Sequence, residues 1–510
     1  MTSQAAPEVQ RAETIDESHR SKRRRRRRPA SPYIGPLTLW TPLDLLAELA
    51  VLAIFLFGLG NYGYVQKDSL WNVTIVLCVL LGLYGAARLA TGALLGGKYR
   101  GLRRGLLVLG VALAWFGFQL IPLPAGLTSS LSPVWRETLM ALGQAGLPVP
   151  DAVPLAHYPS KAFRSWTQLA IQGAFFLGVC GLVSGGGRAS AFRLAAMVAG
   201  LSLLEGIWGL LRFFSADASL AYGALFNPNH HALLSLLGLP LWLGILSVLK
   251  ETNRSFSGPI LSGSNPLLLL HAAGACAFLG AIASFSRGAL VDGTIVLCWI
   301  GWELTRRGGE RFIEPGENPF RMPLTVRRVA LTLVVMFALL SLFPLSFLID
   351  GFRGQSWESD AAGTGRLGLW RATFTALGES PLTGLGLGGT ERALTRLAET
   401  ATNKTAVYSH GDYFQWLAES GVPAFLTLVL GAFWALWGWL KSGLPLYGKT
   451  TRDYQVLERG VLIALAVCLL HAAFDFHLRI PLVGFAFLVV LAIGLSHAFL
   501  TPRPGNQAHH

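Results

Sequence analysis

Apolar stretches of about 17–25 residues recur along most of this chain, and such stretches have few folding options. In lipid their backbone N–H and C=O groups must be satisfied within the segment itself, which means a helix. Candidate spans fall near 43–60, 70–90, 105–122, 166–184, 192–214, 230–249, 265–284, 288–304, 328–349, 422–440, 459–475 and 480–500, twelve in all. Composition agrees: of 510 residues 52% are hydrophobic and 14% charged, and the mean hydropathy is +0.48, which lies outside the range of soluble domains. The expected fold is an all-α polytopic membrane protein of about twelve transmembrane helices with a long helical loop on the outer side. Cys78, Cys180, Cys276, Cys298 and Cys468 all fall in apolar spans without metal or disulfide spacing and read as small buried hydrophobes.

The formal charge of +14 and the run Lys22–Arg28 invite a nucleic-acid reading. The run sits just before the first span, where basic residues hold a terminus in the cytoplasm and attract anionic headgroups, and no base-reading domain follows it. Contact with membrane lipids, and no nucleic acid, is therefore expected. Residues 1–36 are expected to be disordered, and the first span, far from Met1, is expected to stay as a signal anchor. With the amino terminus inside, the predicted cytoplasmic turns hold Lys98, Arg100, Arg103 and Arg104; Arg188 and Arg193; Lys250 and Arg254; Arg306 to Arg328; and Lys441, Lys449 and Arg452. That is the bias the positive-inside rule requires. The organisation that follows is a basic cytoplasmic arm (1–40), nine helices (41–349), an outer loop (350–412), three helices (413–500) and a cytoplasmic tail (501–510).

Function is expected on the outer side, in the long segments 123–165 and 350–412. The first opens as Gln119-Leu-Ile-Pro-Leu-Pro124 and is expected to be irregular. The second carries Arg353, Arg366, Arg371, Arg392, Arg396 and Lys404. Leu367, Trp370, Phe374 and Leu377 recur there at helical spacing, predicting a helix from about Arg366 to Leu377 that could lie flat on the membrane. The loop closes on Tyr408-Ser-His-Gly-Asp-Tyr-Phe-Gln-Trp-Leu-Ala-Glu-Ser-Gly421. His410 thus places a titratable imidazole where a polar loop meets the bilayer, and Asp412 beside it is a plausible helix N-cap. Cations are expensive in lipid, so arginines at outer helix ends are candidates for binding. Arg212 ends the fifth span, Arg287 forms the tight turn Ser284-Phe-Ser-Arg-Gly288 and Arg366 opens the loop helix. Each can also be read as an arginine that only snorkels to headgroups.

Other patterns carry less. Gly384-Leu-Gly-Leu-Gly-Gly389 has the G-x-G-x-x-G spacing, but no strand precedes it and no Lys-Ser/Thr follows, so it reads as a flexible turn between loop helices. There is no Asp-x-Asp pair and no His-Glu-x-x-His. His230 and His231, being adjacent, point to different faces of a helix. Asn227-Pro-Asn-His-His231 reads as a turn plus N-cap, or as polar lining of an outer cavity that would include Asn229. No internal or inverted repeat is evident.

Taken together these residues resemble the bacterial O-antigen ligase and O-antigen or exopolysaccharide polymerase superfamily. The carriers are Gln119–Pro124, Phe226–His230, Ser284–Gly288, Gly365–Trp370 with Pro381–Gly386, Ser409–Gly421, and His471-Ala-Ala-Phe-Asp-Phe-His-Leu-Arg-Ile-Pro481. The resemblance implies a multi-pass enzyme of the bacterial inner membrane that takes a glycan from undecaprenyl diphosphate. It passes that glycan to a lipid acceptor (lipid A-core, in ligases) or a glycan acceptor (a growing repeat unit, in polymerases), with neither cofactor nor metal. It also implies catalytic roles for His410, Arg287 and Arg366, the imidazole as base and the guanidiniums as holders of the leaving diphosphate. Arg212, Arg371, Asn229 and Tyr413 would contact the diphosphate or the glycan. Ligase and polymerase stay open. A reading of another class is a flippase for lipid-linked oligosaccharides, which would place charges through the bundle midplane, and a non-catalytic scaffold is a third.

Overall fold

The computed structural model describes residues 42–64, 69–92, 99–215, 222–253, 265–309, 366–397, 408–441 and 452–496. The basic arm, the expected span 328–349, the tail and the loop residues Arg353 and Lys404 lie outside them.

Helix α1 (Pro42–Gly60), α2 (Ser69–Ala90) and α3 (Arg100–Phe118) match the first three expected spans. The segment that follows is more ordered than its proline content suggests. β1 (Pro122–Pro124) pairs antiparallel with β2 (Ala152–Pro154), Leu123 facing Val153, and between them lie α4 (Ala125–Leu131) and α5 (Pro133–Gln144). The expectation of irregular structure is thus corrected. Pro133 occupies the first turn of α5, where a missing N–H costs nothing, and the Ser132 hydroxyl caps the helix by accepting from Trp135 N.

Helix α6 (Pro159–Ser215) holds the two expected spans 166–184 and 192–214 as two helical runs meeting at Gly187, whose φ of 57° and ψ of −132° only glycine adopts readily. Then come α7 (Pro228–Leu237), α8 (Leu239–Asn253), α9 (Asn265–Ile282) and α10 (Arg287–Gly309). The later elements are α11 (Arg366–Glu379), α12 (Thr390–Leu397), α13 (Asp412–Ser420), α14 (Val422–Lys441), α15 (Arg452–His471) and α16 (Pro481–Ser496). Asn227 caps α7 as expected, its side chain accepting from Asn229 N at 2.8 Å.

Among the described residues, six helices are long and apolar enough to cross a membrane, and three shorter apolar helices accompany them. This is a helical membrane protein. Helix α6 is its centre, packed by α1, α2, α3, α7, α9 and α16, while α15 packs against α8 and α10. Close approach of α2 and α6 depends on small residues: a Cβ on Gly85 would lie 2.3 Å from Leu177 O, and one on Gly178 2.6 Å from Leu81 O. Outward-facing side chains are apolar, Leu430 on α14 being 67% exposed, as suits a surface solvated by lipid.

Acid–base pairs tie helices together at the end away from His410. Arg88 pairs with Asp44, and Arg459 with Glu303. Arg193 grips Glu48 at 2.6 and 2.7 Å, and Ser190 donates to the same carboxylate at 2.7 Å. These acids are almost fully buried and each has its cation, the condition under which a charge persists in a low-dielectric setting.

Candidate active site

The site is assembled around the turn that links α15 to α16. His471 ends α15 and Asp475 lies four residues on, fully buried at 1% exposure. Three imidazoles surround its carboxylate. His230 Nε2 is 3.5 Å and His410 Nδ1 3.7 Å from Oδ1, and His471 Nε2 is 3.9 Å from Oδ2. Phe476 N donates to Oδ1 at 2.7 Å. On its far side His471 Nδ1 meets Asp292 Oδ2 of α10 at 2.6 Å. Carboxylates and imidazoles therefore alternate from Asp292 through His471 and Asp475 to His410. Phe476 wedges this arrangement, its ring edge-on to both His230 and His410 and stacked on Tyr408 at 4.2 Å. Burial pushes the Asp475 carboxyl up, but the facing imidazoles of His230 and His410 outweigh it and hold the group well below the usual carboxylate range. Asp475 is thus an anion at neutral pH. His477, behind it, is held well below the ordinary imidazole range by burial and by its neighbour His471, and stays neutral.

His410 occupies the left-handed backbone region, φ 52°, which few non-glycine residues adopt. The surrounding structure imposes that conformation. Its carbonyl accepts from Trp370 Nε1 of α11 at 3.2 Å, Ser409 Oγ donates to Gly411 O, and Asp412 N is held by the carbonyls of Ala472 and Asp475. The side chain is 32% exposed, the one imidazole of the three that ligands can reach. Arg366, the first residue of α11, acts electrostatically on His471. Arg287 opens α10 after a turn in which Phe285 has a φ of 52° and Ser286 caps the helix through Ala289 N. The next residue, Gly288, lies so close to His471 that a Cβ would fall 2.5 Å from its Cε1. His410 thus lies at the His471–Asp475 corner, with Arg366 acting electrostatically on His471 and the backbone of Arg287 and Gly288 beside it.

A second polar cluster adjoins it. Arg479 pairs with Glu419 at 2.7 Å and lies 3.8 Å from Asp412 Oδ1, while Asp412 Oδ2 accepts from Leu478 N at 3.1 Å. Asp412 is therefore not the helix cap its position suggested: Gly411 is the capping residue, without a side-chain bond, and Asp412 turns inward to join α13 to the 477–479 turn. Its complete burial raises the carboxyl to about 7, against the opposing effects of Arg479 and the Leu478 N–H. Tyr413 points the other way, its hydroxyl donating to Leu469 O at 2.6 Å.

The remaining sequence candidates sit elsewhere. Arg212 donates to Gly223 O at 2.9 Å and to the Tyr222 hydroxyl, with its guanidinium over the Tyr222 ring. It braces the 222–225 turn, which Glu205 also holds through Ala224 N and Leu225 N. Asn229 contributes its backbone N–H to the Asn227 cap, and Arg371 is exposed on α11, which buries Leu369, Ala372, Thr373 and Ala376. His230 and His231 do diverge, the first to Asp475 and the second to Glu205 at 2.8 Å. The 384–389 glycines form a turn between α11 and α12, held rather than flexible. Leu385 N and Gly386 N donate to Ala418 O and Glu419 O of α13, and a Cβ on Gly384 would lie 2.4 Å from Glu419 O. Among the described residues no group of three or more His, Cys, Asp and Glu is arranged to hold a metal.

Asp475, Asp292 and His471 are the functional candidates that sequence reasoning passed over. The signal was an acid within an apolar span (Asp292) and an acid four residues after a histidine (Asp475), both rare beside lipid without a role.

From this corner an apolar groove runs down between α3, α14, α15 and α16. It offers about 1680 Å³ of empty space including its open side, with Asp412, Tyr413 and Trp416 at the upper end and Leu436 and Leu495 at the lower. The fold and the site define a polytopic membrane protein with a buried charge cluster at one end of its helices. Residues 272–429 match the family model described as O-Antigen ligase, a segment that contains Arg287, Arg366 and His410. That match supports the resemblance of the chain to the O-antigen ligase and polymerase superfamily. A comparison with curated proteins finds no match for the chain.

Proposed function

We propose that this protein is a membrane glycosyltransferase. It takes a glycan from undecaprenyl diphosphate on the periplasmic face of the inner membrane and joins it to a hydroxyl of lipid A-core; polymerisation of O-antigen or exopolysaccharide repeat units is the alternative by the same chemistry. The observation that carries the reading is the partly exposed His410 backed by the anionic Asp475, with Arg366 acting on neighbouring His471 and the helix start that bears Arg287 packed beside it.

In this reading His410 accepts the proton of the acceptor hydroxyl as its oxygen attacks the sugar C1. The bond from C1 to the phosphate oxygen breaks, and its electron pair leaves with the diphosphate. A carboxylate facing Nδ1 favours the tautomer in which Nε2 is the acceptor, and it stabilises the imidazolium that forms. Arg366 and Arg287 supply guanidiniums for the departing diphosphate. The apolar groove, ending beside this corner, suits the isoprenoid chain of the donor. Charge gathered towards the two ends of the bundle, that at the far end paired, favours transfer over flipping, which needs polar groups along the path.

The test is transfer in membranes supplied with an undecaprenyl-diphosphate glycan and either lipid A-core or a second repeat unit. His410→Ala and His410→Asn should each lower the rate by about 10²–10⁴-fold, the usual worth of a general base. Asparagine tolerates the left-handed backbone, so it separates the loss of the base from backbone disturbance. The acceptor consumed distinguishes ligase from polymerase, and unchanged transfer in both variants would remove the base.

A further inference from the structure

A second cavity lies beside the first, across the partition made by Leu169, Trp416 and Leu478, and its character is the opposite of the groove's. It offers about 610 Å³ of empty space, part of it open to solvent, between the start of α6, the first turn of α12, α13 and the 478–479 turn. Its walls present neutral hydrogen-bonding groups: the Ser165 hydroxyl and the amides of Gln168, Gln172 and Gln415, with the Trp416 indole on one side.

Its charges are already compensated. Lys161 pairs with Glu391, and Arg479 with Glu419 and Asp412, so neither cation is offered unpaired to an anion. That argues against a diphosphate here. Gln168 Nε2 is used by Arg479 O at 2.9 Å, and Gln415 by Ser409 N and Glu419. The Ser165 hydroxyl and the Gln172 amide, which line the cavity, have no hydrogen-bond partner among the described residues. A hydroxyl and an amide both donate and accept, so these two suit a ligand that does the same.

We infer that this cavity is a saccharide subsite that takes a neutral sugar ring, its hydroxyls bonded to the amides and Ser165 and one face laid against Trp416. Hydroxyls both donate and accept, as a mixed amide and hydroxyl wall requires. An uncharged ring suits a wall whose charges cancel, and an aromatic plane suits the apolar face of a pyranose. The assignment rests on the transferase reading for the sugar being part of a lipid-linked substrate, since Tyr408 connects the cavity to the His410 corner.

The test is saturation-transfer NMR on the full chain in detergent micelles. The probes are methyl glycosides of glucose, galactose and N-acetylglucosamine, with inorganic pyrophosphate as the competing anion. At least one glycoside should receive saturation, and pyrophosphate should not displace it. Ser165→Phe, which fills the cavity, should abolish the signal. Gln172→Leu, close to isosteric, should weaken binding about fivefold through loss of one hydrogen bond, and His410→Ala should leave binding intact. In the transfer assay Ser165→Phe should raise KM for whichever of the two lipid-linked substrates places its sugar here, leaving kcat within about twofold. Absence of saturation from every glycoside, or equal saturation in wild type and Ser165→Phe, would overturn the subsite. Glycoside binding in a protein that transfers nothing would instead remove the transferase reading and leave the subsite standing.

Discussion

His410 and Asp475 come from segments sixty-five positions apart, and each explains a property of the other that neither shows alone. The carboxylate stays ionised in a buried place because imidazoles face it, and the imidazole has its Nδ1 side turned to that carboxylate. Asp475→Asn keeps the shape and removes the charge. Its expected result is a fall in kcat of about tenfold or more with little change in KM, since the stabilised imidazolium exists only in the transition state; steady-state kinetics in membranes decides it. Asp412 behaves in the opposite sense. Its carboxyl is pushed up from 3.8 to about 7, so the folded state binds a proton more tightly than the unfolded state. The charged form then weighs against folding increasingly as pH rises from about 4 to about 7, by an amount on the order of a few kcal/mol. Thermal unfolding in detergent should show wild type losing stability between pH 5 and pH 8, and Asp412→Asn should flatten that slope while keeping an acceptor for Leu478 N. Of these residues His410 was legible in the sequence, as a lone imidazole at a loop's re-entry to the membrane. Asp475 was only a letter in a matching segment, because its importance comes from what surrounds it.

At the scale of elements, hydropathy and capping signals placed most helices to within a few residues. Asn227 before Pro228 and Ser132 before Pro133 each start a helix as such pairs should. Pairing between helices was not legible, since it depends on which face each turns to its neighbour. Gly85 and Gly178 show what decides it: α2 and α6 touch backbone to backbone, so Gly85→Leu must force them apart. Overpacking of this kind costs about 1–3 kcal/mol, and the variant should unfold at lower temperature in detergent without altering kcat in the fraction that folds. Order in the segment between α3 and α6 was missed for a related reason. Its two short strands and two short helices are stabilised by contacts with distant parts of the chain, such as Gln119 Nε2 donating to Thr383 O at 2.6 Å.

For the whole molecule, the charge pattern supports an orientation in which the His410 corner faces the periplasm and the paired acids at the opposite end face the cytoplasm. Cysteine substitution tests it in a cysteine-free background with a membrane-impermeant maleimide applied to spheroplasts. Gln144→Cys, exposed at the end of α5, should react, and Thr91→Cys, exposed after α2, should react only once the membrane is opened. The reverse pattern would move the corner to the cytoplasmic side and away from a periplasmic donor.

The sequence by itself determined the solvent and the helical class of this protein, and it singled out His410 as a candidate. Long apolar stretches must be helices in lipid, and a cation or imidazole beside lipid is seldom idle. Only the tertiary structure decided that Asp475 gathers His230, His410 and His471, that Asp412 serves a buried junction instead of a cap, and that a polar cavity adjoins an apolar groove. Those facts depend on the rotation and depth at which helices pack, and packing is settled by many small contacts among residues far apart in the chain.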